Sequence, residues 1–243
     1  MWLLLSGEGV SDIGTCNPAS DYCEIPELKV GAMAWFVDQC IEEIQGYEFS
    51  HIESHLVRFI SKSKLTKLSK SLSSKKKLGL RGAKQKSETL YYQRNARALA
   101  IEAKKLEEEL NDSVLAVLFR DADGTQSSSR GEWQAKWNSM LKGFQEEDFK
   151  RGVPMIPKPK SEAWLLCALK NNYQHCENLE NESGNDDSNS SLKSQLDDVL
   201  NGHTSATEIA DKVHTKEINV LQIDMPSLNA FKTRLSEVLN TLT

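Results

Sequence analysis

Two groups of acidic residues stand out because each directly follows a short apolar run. Glu8 comes after the run 2–5, and Asp121 and Asp123 come after the run 113–119. If both runs are strands of an open α/β sheet, their carboxyl ends meet at the crevice where such sheets bind ligands. Three converging carboxylates make the all-oxygen site that Mg²⁺ or Mn²⁺ prefers, which predicts metal-assisted phosphoryl chemistry. Asp and Gly also follow strands simply because turns need them, and this is the alternative explanation.

The apolar pattern along the chain predicts the elements that must hold these carboxylates. Strands are predicted at 2–6, 113–119 and 153–156. Helices are predicted at 28–45, 87–110, 127–149 and 162–169. The segment 47–60 is compatible with either a strand or a helix. The alternation indicates an α/β fold with a central parallel sheet flanked by helices.

The composition changes along the chain and predicts three regions. Residues 1–176 are predicted to form the catalytic α/β domain, with a basic insertion at about 58–86. Residues 177–191 are polar and acidic, which is typical of an exposed, mobile loop. Residues 192–243 are predicted to form a C-terminal helical extension that ends in an amphipathic helix at 226–242.

Composition and charge indicate a globular protein rather than a membrane or disulfide-rich one. The chain has 243 residues, a net charge of −5 and five scattered cysteines without a Cys-x-x-Cys pair. We therefore expect reduced cysteines and a cytoplasmic location. The apolar run 2–5 is too short for a secretion signal and is interrupted by Glu8, and no run approaches the length of a membrane span.

The segment 58–86 concentrates positive charge in an otherwise acidic chain, since it contains no Asp or Glu. Such a segment can bind nucleic acid through its phosphates without selecting a sequence. The alternative is a solvated segment that only keeps the protein soluble. The residues predicted to contact nucleic acid are Lys62, Lys64, Lys67, Lys70, Lys75, Lys76, Lys77 and Arg81.

The acidic motifs, taken in order, resemble those of the TOPRIM family of topoisomerases, primases and OLD-type nucleases. The resemblance lies in Gly7-Glu8-Gly9, in the following Ser11-Asp12, and in Asp121-Ala122-Asp123. It implies that Glu8 acts as a general acid/base or metal ligand. It also implies that Asp12, Asp121 and Asp123 bind one or two Mg²⁺ or Mn²⁺ ions.

A second segment extends the resemblance to small stand-alone TOPRIM-like proteins. Pro157-Lys158-Pro159-Lys160-Ser161-Glu162-Ala163-Trp164 is similar to their Pro-rich strand end and Glu-x-Trp helix. Glu162 is a further candidate ligand, and Lys158 could stabilise charge that develops on a phosphoryl group. The resemblance implies a metal-dependent nuclease acting on DNA or RNA. It also implies a toxic antiphage effector that works with an ABC-type ATPase partner and is compatible with a homodimer.

Two other functions fit parts of the sequence. The motif Asp121-Ala122-Asp123-Gly124-Thr125 also resembles the first motif of haloacid-dehalogenase-type phosphatases. There Asp121 would be the nucleophile and Asp123 the general acid. Against this, that motif normally opens its domain, whereas here about half of the chain precedes it. The third possibility is a catalytically inactive, nucleic-acid-binding assembly subunit.

Overall fold

The computed structural model describes residues 1–9, 12–72, 87–122, 130–169, 176–187 and 190–242. Within these residues the chain forms two sheets. The strands are β1 (Trp2–Gly7), β2 (Gly14–Cys16), β3 (Tyr22–Cys23), β4 (Leu28–Val30), β5 (Val57–Ile60), β6 (Val114–Phe119) and β7 (Gly152–Met155). The main sheet has the order β3-β5-β1-β6-β7, and β2 pairs with β4 in a separate two-stranded sheet.

The main sheet is parallel except for its edge strand β3, which runs antiparallel to β5. Its two central strands are almost wholly buried because β1 and β6 consist mainly of Leu, Val, Ala and Phe. The chain passes from β1 to β5 on one side and then returns to β6 on the other. The carboxyl ends of β1 and β6 therefore flank the point where the strand order reverses, which is the usual ligand-binding crevice of such sheets.

The helices pack in two groups against this sheet. They are α1 (Ala32–Gln45), α2 (Lys62–Ser71), α3 (Ser87–Leu110), α4 (Arg130–Glu146), α5 (Ser161–Leu169), α6 (Leu192–Val199), α7 (Ala206–His214) and α8 (Pro226–Leu239). The helix α3 contacts α2, α4 and β6, whereas α1 contacts α7 and α8, and α8 packs on β7. None of the helices in the described part of the chain combines the length and apolar character that crossing a bilayer requires.

The α/β fold with a mostly parallel sheet flanked by helices is confirmed, and the differences are local. The predicted helix 28–45 begins only at Ala32, because Leu28–Val30 pairs with β2 as an extra strand. The undecided segment 47–60 ends in strand β5, which pairs with β1. The basic segment 58–86 begins at the end of β5 and continues as an amphipathic helix, α2, whose residue Leu65 is buried.

The C-terminal helices share the core of the sheet region. The side chain of Gln39 on α1 donates a 2.5 Å hydrogen bond to the carbonyl of Val213 on α7. The Trp164 indole donates a 2.9 Å hydrogen bond to Ser227 Oγ at the start of α8. Buried polar groups are thus paired between α1 or α5 and the C-terminal helices.

The polar segment 177–191 is not exposed throughout, contrary to the prediction from its composition. Its first part continues the short 3₁₀ helix Cys176–Asn181, in which Leu179 and Glu180 are buried. The Glu180 carboxylate accepts a 2.7 Å hydrogen bond from the backbone N–H of Ser227. A buried carboxylate needs such partners, and a helix start such as that of α8 supplies them.

The prediction of reduced cysteines is wrong for four of the five. Disulfides join Cys16 to Cys23 and Cys167 to Cys176, with Cα–Cα distances of 5.7 and 5.6 Å. The separations of 7 and 9 positions between the partners do not by themselves indicate a disulfide. Cys40 is the free cysteine, and burial raises the pKa of its thiol to about 12.

Candidate active site

The turn after β1 places two carboxylates at the end of the sheet. Glu8 follows the last strand residue, Gly7, and Asp12 follows shortly after. Gly9 has a φ of +83°, and a Cβ at this position would overlap the Asp12 carboxylate. Only glycine adopts this backbone conformation without strain while leaving room for that side chain. The Asp12 carbonyl also accepts a 2.8 Å hydrogen bond from the Met33 N–H in the first turn of α1, which anchors the turn.

The segment after β6 places Asp121 beside this turn. The β6–β7 pairing extends past the strands, because the Arg120 N–H donates to the Met155 carbonyl and the Ala122 N–H to the Pro157 carbonyl. The Tyr92 hydroxyl on α3 donates a 2.9 Å hydrogen bond to the Asp121 carbonyl. The backbone on either side of the Asp121 side chain is therefore fixed.

The start of α5 joins the two aspartates. The Ser161 N–H donates a 3.1 Å hydrogen bond to Asp121 Oδ1, and its hydroxyl donates a 2.7 Å hydrogen bond to Asp12 Oδ1. The same hydroxyl lies 3.5 Å from Glu162 Oε2. The N-terminus of a helix favours a carboxylate because its N–H groups are unpaired and its dipole is positive there. We refer to Glu8, Asp12, Asp121 and Glu162 as the acidic site.

Electrostatic repulsion couples the members of the acidic site. Burial raises the pKa of Asp12 to about 6, the Ser161 hydrogen bond opposes that shift, and Glu162 and Glu8 add to it. Burial likewise raises the pKa of Asp121 well above its usual value, and Asp12, Glu162 and Glu8 raise it further. Like charges gathered in a region of low dielectric disfavour one another, so the arrangement favours a bound cation or proton.

Two lysines lie at the edge of the acidic site. The Lys62 ammonium, at the start of α2, is 3.2 Å from Glu8 Oε2, and the Lys62 side chain is 54% exposed. Lys160 lowers the pKa of Asp12 slightly and also forms a 2.9 Å ion pair with Asp186. The exposed position of Lys62 means that its ammonium can contact a ligand phosphate as well as Glu8.

The structure brings some of the predicted catalytic residues together and separates others. Glu8, Asp12, Asp121 and Glu162 interact electrostatically at one place. Lys158 does not join them: it is buried, and its ammonium lies 4.0 Å from Glu180 Oε2, because Lys158 and Lys160 take different directions at the turn after β7. Asp123 lies outside the described residues.

The residues predicted to contact nucleic acid fall into three groups: exposed on α2, paired with an acidic residue, or outside the described residues. Lys62, Lys67 and Lys70 are exposed on α2. Lys64 pairs with Asp21 at 3.3 Å. The other members of the predicted set lie outside the described residues; these are Lys75, Lys76, Lys77 and Arg81. The described part of the basic segment thus consists of the end of β5 and the helix α2, whose first residue, Lys62, contacts Glu8.

The donor chemistry of the acidic site suits a hard divalent cation. In the ranges that the structure describes, no group of three or more His, Cys, Asp and Glu side chains is arranged to hold a metal ion. Mg²⁺, however, is usually bound by one or two carboxylates, with water and substrate phosphate completing its shell. Asp12 and Asp121 form such a pair, since both accept hydrogen bonds from Ser161. The residues therefore fit a two-carboxylate Mg²⁺ site.

Sequence reasoning missed Ser161 and Tyr92, which hold the two aspartates in place. Neither carries an acidic charge; Ser161 lies within the TOPRIM-like segment 157–164, but that resemblance gave it no role. The only available signal was a serine at a predicted helix start, directly before Glu162 and after a Pro-rich turn. Such a serine is more often a helix cap, so its contact with a carboxylate 149 positions away needed the structure.

Comparison of the chain with protein families, curated proteins and solved structures found no match.

Proposed function

We propose that the protein is a divalent-metal-dependent nuclease with a TOPRIM-like catalytic region. The observation that carries this proposal is the contact of Ser161 with both Asp12 and Asp121. It joins the ends of β1, β6 and the start of α5 at the reversal of strand order, where α/β sheets bind their ligands. Mutual repulsion at the acidic site supplies a physical reason for cation binding.

In this proposal Asp12 and Asp121 would hold the ion, with Asp123 and Glu8 as further candidate ligands. A bound divalent ion would supply a Lewis acid that neutralises charge on the phosphoryl oxygens. Glu8 and Glu162 flank this pair and are the candidates to accept a proton from the attacking water. Lys62, 3.2 Å from Glu8, would contact the phosphate from the solvent side.

The structure favours this reaction over a phosphatase that uses Asp121 as its nucleophile. Such a phosphatase would take its nucleophile and its general acid, Asp121 and Asp123, from the segment after one strand. Here Asp12 shares a serine with Asp121, and Asp121 Oδ1 already accepts the Ser161 N–H.

The helix α2 supports nucleic acid as the substrate. Its exposed side chains Lys62, Lys67 and Lys70 start at the acidic site and lead away from it. Phosphates of a bound strand would form ion pairs with these lysines, and the scissile phosphate would lie at the acidic site. A small phosphomonoester needs no such extended positive surface.

The biological role is proposed from the family resemblance. The nuclease would be an antiphage effector restrained by an ABC-type ATPase, and a homodimer is compatible with it. A cytoplasmic location would require the two disulfides to form in a reducing compartment. Expression of the wild type alone should then be toxic. Co-expression of a neighbouring ATPase should suppress the toxicity, whereas harmless wild type would count against the effector role.

The direct test is incubation of the purified protein with plasmid DNA and total RNA in Mg²⁺ or Mn²⁺. Wild type should cut at least one of them, and EDTA, Glu8→Gln or Asp121→Asn should abolish cutting. Asp211→Asn, an exposed change on α7, should cut normally. Release of phosphate from a small phosphomonoester, with phosphate trapped on Asp121, would instead establish the phosphatase.

A further inference from the structure

A cavity of about 240 Å³ opens directly onto the acidic site. Asp12, Ser161 and Glu162 line it. Lys193 and His203, which are exposed, also line it, and His203 Nδ1 lies 3.6 Å from Asp197 Oδ1, a third lining residue. The cavity therefore joins the acidic site to two groups that can carry positive charge.

Aliphatic side chains from four helices also line the cavity. Met33 comes from α1, Leu165 from α5, Leu196 from α6 and Ile209 from α7. A lining that combines apolar side chains with a few polar groups suits a ligand that is itself partly apolar and polar at its edges. A nucleobase attached to its sugar phosphate has this character, and apolar side chains hold bases that have left the stack.

The size of the cavity limits what can enter. Pockets for drug-sized ligands are typically about 300–1,000 Å³, so this cavity is smaller than that range. One base with its sugar fits this scale, whereas stacked or paired bases do not. A duplex could place a base in this cavity only by flipping a nucleotide out or by fraying at its end.

We propose that this cavity binds the single unpaired nucleotide next to the scissile phosphate, so that the protein acts on single strands, frayed ends or flipped nucleotides. This inference rests on the proposed nuclease function. The base of this nucleotide would lie between Leu165 and Leu196. The phosphate of the nucleotide that is not cut would face Lys193 and His203. The C-terminal helices α6 and α7 would thus form part of the substrate site.

The test fills the cavity from a position that is exposed and therefore tolerant of change. Ala206 lies on the cavity wall at the start of α7, and Thr207 is the exposed neighbour outside it. Ala206→Trp is compared with Thr207→Trp, after melting temperatures show that both variants are folded. Ala206→Leu is a milder second variant. Lys193→Ala is compared with Lys150→Ala, which removes another exposed lysine.

Two quantities are measured for each variant. The first is kcat/KM on one oligonucleotide offered as a single strand and as a blunt duplex. The second is the Kd of nucleoside monophosphates for the metal-loaded protein, measured calorimetrically. We expect the single strand to be preferred, and Ala206→Trp to lower kcat/KM and weaken monophosphate binding by about tenfold or more. Thr207→Trp and Lys150→Ala should change neither quantity.

The outcomes separate this inference from the proposed function. The inference is overturned if the duplex is cut as fast as the single strand and if Ala206→Trp and Ala206→Leu leave the rate unchanged. The proposed nuclease function would be unaffected by that result. If the wild type cuts no nucleic acid, the proposed nuclease function is overturned. In that case, nucleoside monophosphate binding that is lost in Ala206→Trp but kept in Thr207→Trp would still support a nucleotide-binding cavity. If the wild type binds no nucleoside monophosphate, the proposed cavity function is overturned as well.

Discussion

The Ser161 hydroxyl donates a 2.7 Å hydrogen bond to Asp12 Oδ1, although 149 positions separate the two residues. With its backbone N–H the same serine holds Asp121 at 3.1 Å. One residue at the start of α5 thus fixes carboxylates that follow two different strands. Pre-arranged ligands bind a cation without a further loss of side-chain freedom, which is why Ser161 is central to the proposed activity.

Removal of the Ser161 hydroxyl should weaken metal binding. Partners that orient metal ligands typically contribute about 10–100-fold to metal affinity or activity. We therefore expect Ser161→Ala to weaken Mn²⁺ binding by roughly 10–100-fold in calorimetric titration. Ser69→Ala removes another buried hydroxyl, which donates to the Thr66 carbonyl, and should leave Mn²⁺ affinity unchanged. If Ser161→Ala and Ser69→Ala bind Mn²⁺ with equal affinity, Ser161 does not position the carboxylates that bind the metal.

Neutralisation of Asp12 should stabilise the metal-free protein at neutral pH. Its pKa is raised to about 6 in the fold from 3.8, so the fold favours the protonated form. That contribution is complete below about pH 4 and is lost as the pH rises through 6. One pKa unit corresponds to about 1.4 kcal/mol, so Asp12→Asn should gain roughly 1–3 kcal/mol at pH 7.5.

The measurement is denaturant unfolding in EDTA at pH 4.5 and pH 7.5. The advantage of Asp12→Asn should shrink at the lower pH, where wild-type Asp12 is itself protonated. The exposed change Asp211→Asn should show no such pH dependence. An Asp12→Asn variant less stable than wild type at pH 7.5 would mean that the repulsion among these carboxylates is already relieved.

Two glycines with similar backbone angles should respond differently to alanine. Gly9 and Gly46 have φ values of +83° and +72°. A Cβ on Gly46 would meet nothing within 4 Å, whereas one on Gly9 would overlap the Asp12 carboxylate. Gly46→Ala should cost about 1–2 kcal/mol of unfolding free energy from backbone strain alone.

Gly9→Ala should lose more stability than Gly46→Ala and should also weaken Mn²⁺ binding, because Asp12 must move. Unfolding curves and metal titration of the two variants measure both effects. Gly46→Ala should bind Mn²⁺ as wild type does. If Gly9→Ala also keeps wild-type Mn²⁺ affinity, the turn after β1 does not position Asp12 for a metal.

The exposed lysines of α2 should set the salt dependence of nucleic-acid binding. Loss of one phosphate contact should reduce the slope of log K against log salt concentration by about 0.7–0.9. We expect this change in Lys67→Ala, measured by fluorescence anisotropy on a labelled oligonucleotide. Lys150→Ala removes an exposed lysine outside α2 and should keep the wild-type slope. If Lys67→Ala and Lys150→Ala give the same salt dependence, Lys67 does not contact nucleic acid, and α2 serves only as a solubilising surface.

The sequence predicted the buried strands and the carboxylates that follow them because both signals are local. An apolar run such as 114–119 shows its burial directly, and turn residues mark where it ends. Glu8, Asp12 and Asp121 could therefore be placed at one edge of a sheet from their order alone. The start of α1 was placed too early because Leu28–Val30 pairs with β2.

Interactions between distant segments could not be predicted in this way. The bridging role of Ser161 depends on how α5 meets the turn after β1. The different positions of Lys158 and Lys160 depend on the path of one turn, which pairs Lys158 with buried Glu180. The disulfide between Cys16 and Cys23 likewise joins strands of two different sheets, β2 and β3, a relationship that the cysteine spacing does not encode.

The most direct test of the acidic site is the position of Mn²⁺ in crystals of the wild-type protein, located by anomalous diffraction. We predict an anomalous peak whose centre lies about 2.0–2.6 Å from carboxylate oxygens of both Asp12 and Asp121. The peak should disappear in crystals of Asp121→Asn grown and soaked in the same way. Wild-type crystals that show Mn²⁺ only elsewhere, or none at the acidic site at millimolar concentration, would contradict a metal-dependent nuclease built on these carboxylates.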